Sequence, residues 1–161
     1  MKILITYYSK TGNTEFAAKK LAEELSRNNN QVELKKIELK RPLGMLKGIL
    51  YAIMGRKPEI LDLGISPADY DVVCIGCPIW AANPHPTFYS FLSQWGSFSE
   101  AETVVVFATH RGNRYKEAIN KMIQRLKEKG AKKVLFIDFL DKEKEKTVKE
   151  IKDFAEKLLS H

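Results

Sequence analysis

Four small side chains with hydroxyl or amide groups surround one glycine in the stretch SKTGNT, residues 9–14. The stretch follows an apolar run and precedes an amphipathic one, so it stands at a strand-to-helix corner. The first N–H groups of a helix lack backbone partners, and the helix dipole favours negative charge there. Gly12 permits a sharp turn, and the hydroxyl groups of Ser9, Thr11 and Thr14 add neutral donors. This corner is predicted to hold a phosphate.

Other interpretations of the corner are weaker. Ser, Thr and Asn are ordinary helix caps, but capping explains one such residue and not four. The stretch lacks the Gly-x4-Gly-Lys-Ser/Thr pattern of a Walker loop and the three glycines of a dinucleotide-binding turn. Neither ATP hydrolysis nor ordinary NAD binding is therefore predicted at this loop.

A second loop, GCPIWAANPHP (76–86), carries an aromatic side chain between prolines. Trp80 is placed to stack on a planar ring, and the N–H groups of Ala81, Ala82 and Asn83 could meet the polar edge of that ring. The alternative is that Trp80 only covers the core.

A third loop, ATHRGNRY (108–115), follows another apolar run. It is expected to close the far side of the same cleft. His110 could titrate or donate a hydrogen bond near a ring, but the sequence favours a solvated loop histidine.

The elements that position these loops form an α/β pattern. Strands are predicted at residues 2–8, 31–39, 71–77, 103–109 and 133–139. Segments with the 3.6-residue periodicity of amphipathic helices lie between and after them. Three strands are continuous apolar runs, which suits strands covered on both faces, whereas 31–39 reads as a half-exposed edge. We predict one domain over residues 1–161, a three-layer sandwich with a five-stranded parallel sheet in the order 2-1-3-4-5. In that order the switch point brings the first two loops together.

One connection, residues 42–65, is longer than a crossover requires. It contains LGMLKGILYAIMG, which is helical and apolar on more than one side. Packing against the sheet or a partner subunit is the favoured interpretation, and contact with a membrane surface is the alternative. Between residues 35 and 59, seven Lys or Arg stand against two Glu, so this segment carries +5 of the net charge of +7. Such a charge could steer an acidic partner or only be a solvated face.

Composition limits the remaining possibilities. The chain has 161 residues, no apolar run long enough to span a membrane and no signal-peptide pattern, so we expect a cytoplasmic protein. Abundant Lys and Glu with little Gln lean towards a thermophilic source.

Cys74 and Cys77 are three apart in a strand and point to opposite faces, so they are expected to be core residues, and no metal site is predicted. Nucleic-acid binding is not predicted, because the basic segment carries no recognised motif.

The three loops together imply a ligand with a terminal phosphate and a flat aromatic ring, and here the chain resembles a known family. SKTGNT matches the phosphate loop of flavodoxin-like proteins, Ser/Thr-x-Thr-Gly-x-Thr, at every fixed position; GCPIWAANP resembles their isoalloxazine loop, and ATHRGN is a looser match to their third loop. The resemblance spans essentially the whole chain and implies FMN as cofactor. It places the phosphate at Ser9, Thr11, Gly12, Asn13 and Thr14, with Lys10 beside them, and the ring between Pro78, Ile79, Trp80, Ala81, Ala82 and Asn83 on one side and Thr109, His110, Arg111, Gly112 and Asn113 on the other.

Two departures from the family bear on function. Flavodoxins that carry electrons are typically acidic, whereas this chain has a net charge of +7. They often use a glycine whose peptide flips towards the flavin, whereas Ala81 and Ala82 follow Trp80 here and tolerate positive φ less well. The first hypothesis is an FMN carrier that transfers electrons between redox partner proteins, acidic ones among them. The second is an FMN-dependent NAD(P)H oxidoreductase that reduces a quinone, flavin or similar acceptor. No catalytic residue is predicted, and a monomer and a homodimer are both compatible with the sequence.

Overall fold

Five parallel strands form the central sheet of the computed structural model, which describes residues 1–112 and 114–160. They are β1 (Lys2–Tyr7), β2 (Gln31–Lys36), β3 (Val72–Trp80), β5 (Thr103–His110) and β6 (Val134–Leu140). The order is β2-β1-β3-β5-β6, and each neighbouring pair is parallel. The short strand β4 (Asn83–Pro84) pairs with β3 outside this path. The predicted order of five parallel strands is therefore confirmed.

Helices cover both faces of the sheet. The chain forms α1 (Asn13–Leu25), α2 (Met45–Met54), α3 (Thr87–Gln94), α4 (Tyr115–Glu128) and α5 (Lys144–Leu159). The apolar sides of α1 and α5 pack on one face, and those of α3 and α4 pack on the other. This arrangement confirms the predicted three-layer α/β sandwich. None of the helices within the described ranges is both long and apolar enough to cross a membrane.

Burial along the strands follows their hydrophobic patterns. Every residue of β5 is buried, because helices cover both of its faces, whereas the edge strand β2 is partly exposed. Alternate residues of β3 enter opposite clusters: Cys77 packs on the α3 and α4 side, and Cys74 on the α1 and α5 side. Burial raises the pKa of both thiols to about 12. The two cysteines are core residues on opposite faces, as predicted.

The largest differences from the predicted strand boundaries are at the carboxyl ends of β2 and β3. β2 ends at Lys36, because its partner β1 ends at the paired residue Tyr7. β3 continues to Trp80 through part of the predicted loop, because the chain turns back and β4 pairs with it, Trp80 opposite Asn83. The second loop is therefore the tip of a β-hairpin, with a two-residue turn at Ala81 and Ala82.

Candidate functional site

All three predicted loops meet at one cavity of about 230 Å³ at the carboxyl ends of β1, β3 and β5. Nine of the predicted site residues line it, namely Lys10, Thr11, Thr14, Pro78, Ile79, Trp80, Ala81, Thr109 and Arg111. Seven others belong to the same loops but do not line this cavity, namely Ser9, Gly12, Asn13, Ala82, Asn83, His110 and Gly112. Asn113 lies outside the described residues.

The first loop leaves the start of α1 without a side-chain cap. Gly12 occupies the N-cap position in the left-handed region, at φ 94°, and within the described ranges no side chain bonds the free N–H groups of the first turn. The Ser9 hydroxyl instead accepts a hydrogen bond from the Gly12 N–H at 3.1 Å, which holds the loop in shape. The alternative of an ordinary capped helix start is therefore wrong. The amides of the first turn remain available to an anion.

One buried hydrogen bond joins the first loop to the third. The hydroxyl oxygens of Thr14 and Thr109 lie 2.7 Å apart, and both residues are buried. A second bond runs from the Lys10 ammonium to the Leu43 carbonyl at 3.3 Å and ties the first loop to the segment before α2. The polar end of the cavity is thus fixed against two other parts of the chain.

The turn of the β3–β4 hairpin has an unusual backbone. Ala81 and Ala82 have φ values of 49° and 60°, which are those of a two-residue hairpin turn normally built from Asn and Gly. A side chain with a Cβ pays about 1 kcal/mol to adopt this region. Ala81 and Ala82 adopt positive φ despite this cost, because pairing of β4 with β3 imposes the turn on whichever residues connect them.

Trp80 is held on two sides. Its indole meets the ring of His85 edge to face at 4.5 Å, and a Cβ at Gly48 of α2 would overlap it. The Trp80 side chain nevertheless reaches the cavity. It therefore forms a fixed aromatic wall.

His85 is a buried, neutral support of this wall. Its ring stacks on Tyr8 at 4.1 Å, and its Nδ1 accepts a hydrogen bond from the Thr87 N–H at 3.3 Å. Burial, assisted by the positive charge of Lys10, lowers the pKa of His85 to about 3. Since Nδ1 accepts, the proton of the neutral ring is on Nε2, which is buried and has no partner within the described ranges.

His110 is not the solvated loop histidine that the sequence favoured. It is the last residue of β5, only 5% exposed, and its ring stacks on Tyr115 at 3.9 Å. Its Nδ1 accepts from the Gly112 N–H at 2.9 Å, and Nε2 lies 3.0 Å from Asp138 Oδ2. That prediction is wrong because β5 extends one residue further than expected and places the ring against α4. His110 thus holds the turn that contains Arg111.

Three cavity residues were missed by the sequence analysis. Met45 and Ile49 of α2 line the cavity, as does Asp141, which directly follows β6. Burial raises the pKa of Asp141, although Arg111, whose Nε is 3.9 Å from Asp141 Oδ2, opposes this shift. The position of Asp141 after a parallel strand was a signal that could have been used, since such ends meet at one edge of the sheet. Lys10, Arg111 and Asp141 together give the lining of the cavity a net positive charge.

Comparison with curated proteins gives a partial match in sequence. No family model matches the chain. Residues of this chain are 33% identical over 79 positions to an NAD(P)H dehydrogenase (quinone) of Caulobacter vibrioides, a match that covers 48% of this chain and 38% of that protein. The chain therefore matches less than half the length of its curated relative.

Solved structures match over nearly the whole chain. A flavoprotein of Lactobacillus acidophilus, solved in complex with FMN, is 27% identical, with a TM-score of 0.67 over 90% of this chain and 97% of that one. Flavodoxin 1 of Bacillus cereus is 19% identical, with a TM-score of 0.63 over 100% and 99%. The sheet order, the layers and these two likenesses show that the chain has the flavodoxin-like fold.

Proposed function

We propose that this chain binds FMN in the cavity between its three loops and transfers electrons between redox partner proteins. The observation that carries the proposal is the pairing of two unlike walls in one cavity: the uncapped start of α1 and the fixed indole of Trp80. A phosphate and a flat aromatic ring on one ligand match these walls. The solved complex of the Lactobacillus acidophilus flavoprotein with FMN supports the choice of ligand.

Each wall has a distinct task in this proposal. The free N–H groups of the first turn of α1 and the hydroxyl groups of Thr11 and Thr14 hold the phosphate. Pro78, Ile79 and Trp80 exclude water from one side of the ring, and Thr109 and Arg111 lie at its other edge. Bound FMN supplies one- and two-electron chemistry, which the protein tunes through the charge and polarity around the ring. Lys10 and Arg111 outnumber Asp141 there, which favours a reduced, anionic flavin.

A second candidate is an FMN-dependent NAD(P)H oxidoreductase that reduces a quinone or a similar acceptor. The Caulobacter vibrioides relative, of which this chain matches 38%, carries such a name. A second cavity, of about 670 Å³, lies between α2, α3 and α4 and includes Asn83 next to the hairpin turn. Four cations line it against one carboxylate, namely Lys57, Lys121, Arg125 and Lys129 against Glu128. A dinucleotide with its two phosphates suits such a groove.

The experiment is an FMN titration of the desalted protein, followed by stepwise anaerobic reduction in a spectrophotometer. Retained flavin is expected, and a protein that keeps none would contradict the cofactor proposal. Reduction in two resolved one-electron steps indicates a carrier. A single two-electron step, together with turnover on NAD(P)H alone and its loss in Lys121→Gln with Arg125→Gln, indicates the oxidoreductase.

The overall charge of +7 suits acidic redox partners in the cytoplasm, which we include in the proposal. Binding assays with acidic and basic electron-transfer proteins at low and high salt test this part separately. A salt-sensitive preference for the acidic partner is expected, and equal binding to both would contradict it.

A further inference from the structure

Exposed apolar side chains are concentrated in and beside α2. Within the described ranges, six of the ten exposed large apolar side chains lie between residues 45 and 61. Leu46 is 86% exposed and Ile53 is 63% exposed, and Leu50 and Met54 are also more than half exposed. Residues 46, 50, 53 and 54 have the spacing of one helical stripe. We call these four side chains the α2 outer stripe.

The opposite side of α2 is already occupied. Gly48 and Ala52 are buried against the hairpin side of the molecule, and Ile49 lines the cavity. The outer stripe therefore cannot be covered by rotating the helix, because rotation would expose these inner residues. Both sides of α2 are apolar, and among the residues that the structure describes only the inner side is packed against other parts of the chain.

The segment of chain that carries the outer stripe has cations and no acidic side chain. Between residues 39 and 58 the sequence has no Asp or Glu and five cations, namely Lys40, Arg41, Lys47, Arg56 and Lys57. Lys47 and Arg56 lie over the ring of Tyr51 at 5.5 and 5.9 Å from its centroid, which keeps their charges beside the stripe. An apolar stripe with a rim of cations fits a surface that is apolar inside and anionic at its edge.

We propose that the α2 outer stripe binds an anionic phospholipid surface. A second copy of the chain is a poorer occupant, because a symmetric contact would place the same five cations against each other. A protein partner is also poorer, because helix α2 offers only Lys47 and Tyr51 as hydrogen-bonding side chains, whereas protein interfaces carry about one hydrogen bond per 100–200 Å². Anionic lipid head groups can interact with the five cations, and the acyl chains can contact the apolar side chains of the outer stripe.

Binding of lipid to the outer stripe would not require the proposed cofactor. It would affect access to the cavity, because Met45 and Ile49 of the same helix line the cavity. Attachment through the outer stripe would bring the cavity to within one helix of the lipid.

The experiment is co-sedimentation of the full chain with vesicles of phosphatidylcholine and phosphatidylglycerol, and with vesicles of phosphatidylcholine alone. Binding to the anionic vesicles is expected, with much weaker binding to the neutral ones. Leu50→Ser with Ile53→Ser is expected to weaken binding at least about tenfold. Arg56→Gln with Lys57→Gln is expected to weaken it by a similar factor.

Matched controls are Val148→Ser for an exposed apolar side chain and Lys149→Gln with Lys152→Gln for two cations, all on α5. These variants are expected to bind as the wild type does. Failure of the wild-type chain to bind anionic vesicles would overturn the proposal, as would binding that Leu50→Ser with Ile53→Ser leaves unchanged. A dimer that this double variant dissociates, in a chain that does not bind vesicles, would identify a second copy as the occupant.

Discussion

The two walls of the cavity are organised in different ways. The polar wall, formed by the first and third loops, has an uncapped helix start and is fixed by the Thr14–Thr109 hydrogen bond. The aromatic wall, formed by Trp80 and its supports, is fixed by ring packing on a neutral buried histidine and by contact with a glycine of α2. The polar wall keeps donors free for a ligand, whereas the aromatic wall keeps a surface in place. One site can therefore combine unsatisfied polar groups with tightly packed apolar ones, each fixed by different means.

The largest effect is expected from acid on the aromatic wall. The pKa of His85 in the folded protein is about 3, below its ordinary value of 6.5, so the unfolded chain binds the proton more readily. The stability that the neutral His85 ring contributes is fully present above pH 6.5. As the pH falls from 6.5 towards 3, loss of this contribution lowers the free energy of unfolding by about 1.4 kcal/mol per pH unit. Urea unfolding of wild type and His85→Gln over this range measures the difference in slope. Equal slopes would show that His85 is not buried as a neutral ring.

Removal of the hydroxyl groups tests the polar wall. Thr11→Ala with Thr14→Ala is expected to weaken FMN binding by about 2–3 kcal/mol, since each hydrogen bond contributes about 1–1.5 kcal/mol. Fluorescence titration measures the loss. Thr14→Ser keeps the hydroxyl and is expected to retain most of the affinity, so a loss in Thr14→Ser as large as in Thr14→Ala would indicate packing as the cause.

A methyl group at Gly48 tests the support of Trp80 by α2. Gly48→Ala is expected to lower the free energy of unfolding by about 1–2 kcal/mol, because overlap with the indole outweighs the better helix propensity of alanine. Gly44→Ala, which has open space around it, is the control and is expected to cost less than half as much. Chemical unfolding measures both. A Gly48→Ala protein more stable than wild type would contradict the contact.

The smallest effect is expected at the hairpin turn. Ala81→Asn with Ala82→Gly supplies the residue pair that this turn favours and is expected to raise the free energy of unfolding by about 0.5–1 kcal/mol. Ala22→Gly inside α1 is the control of opposite sign, with an expected loss of about 1 kcal/mol. Unfolding curves of the two variants measure the change in the free energy of unfolding for each. A lower stability of the turn variant would contradict the positive φ values of Ala81 and Ala82.

The polar wall could be predicted from the sequence, because local patterns determine it. A buried strand, one glycine and several hydroxyl residues define the corner at Gly12, and the strand order places the third loop beside it. The aromatic wall could not be predicted in full. The hairpin turn at Ala81 and Ala82 depends on the pairing of β4, and one of the supports of Trp80 is Gly48 of α2, which lies more than thirty positions earlier in the chain. His110 was mistaken for a solvated residue because its burial depends on Tyr115 and Asp138.

The Thr14–Thr109 hydrogen bond joins residues that are 95 positions apart in the chain. A ribosome must therefore release about two-thirds of the protein before this bond can form. Until then, helix α1, which carries Thr14, can form, but the polar wall is incomplete. Binding of a ligand at this site would therefore show that β5 has paired with the sheet. Truncated chains that end before Thr103 are expected not to bind the ligand.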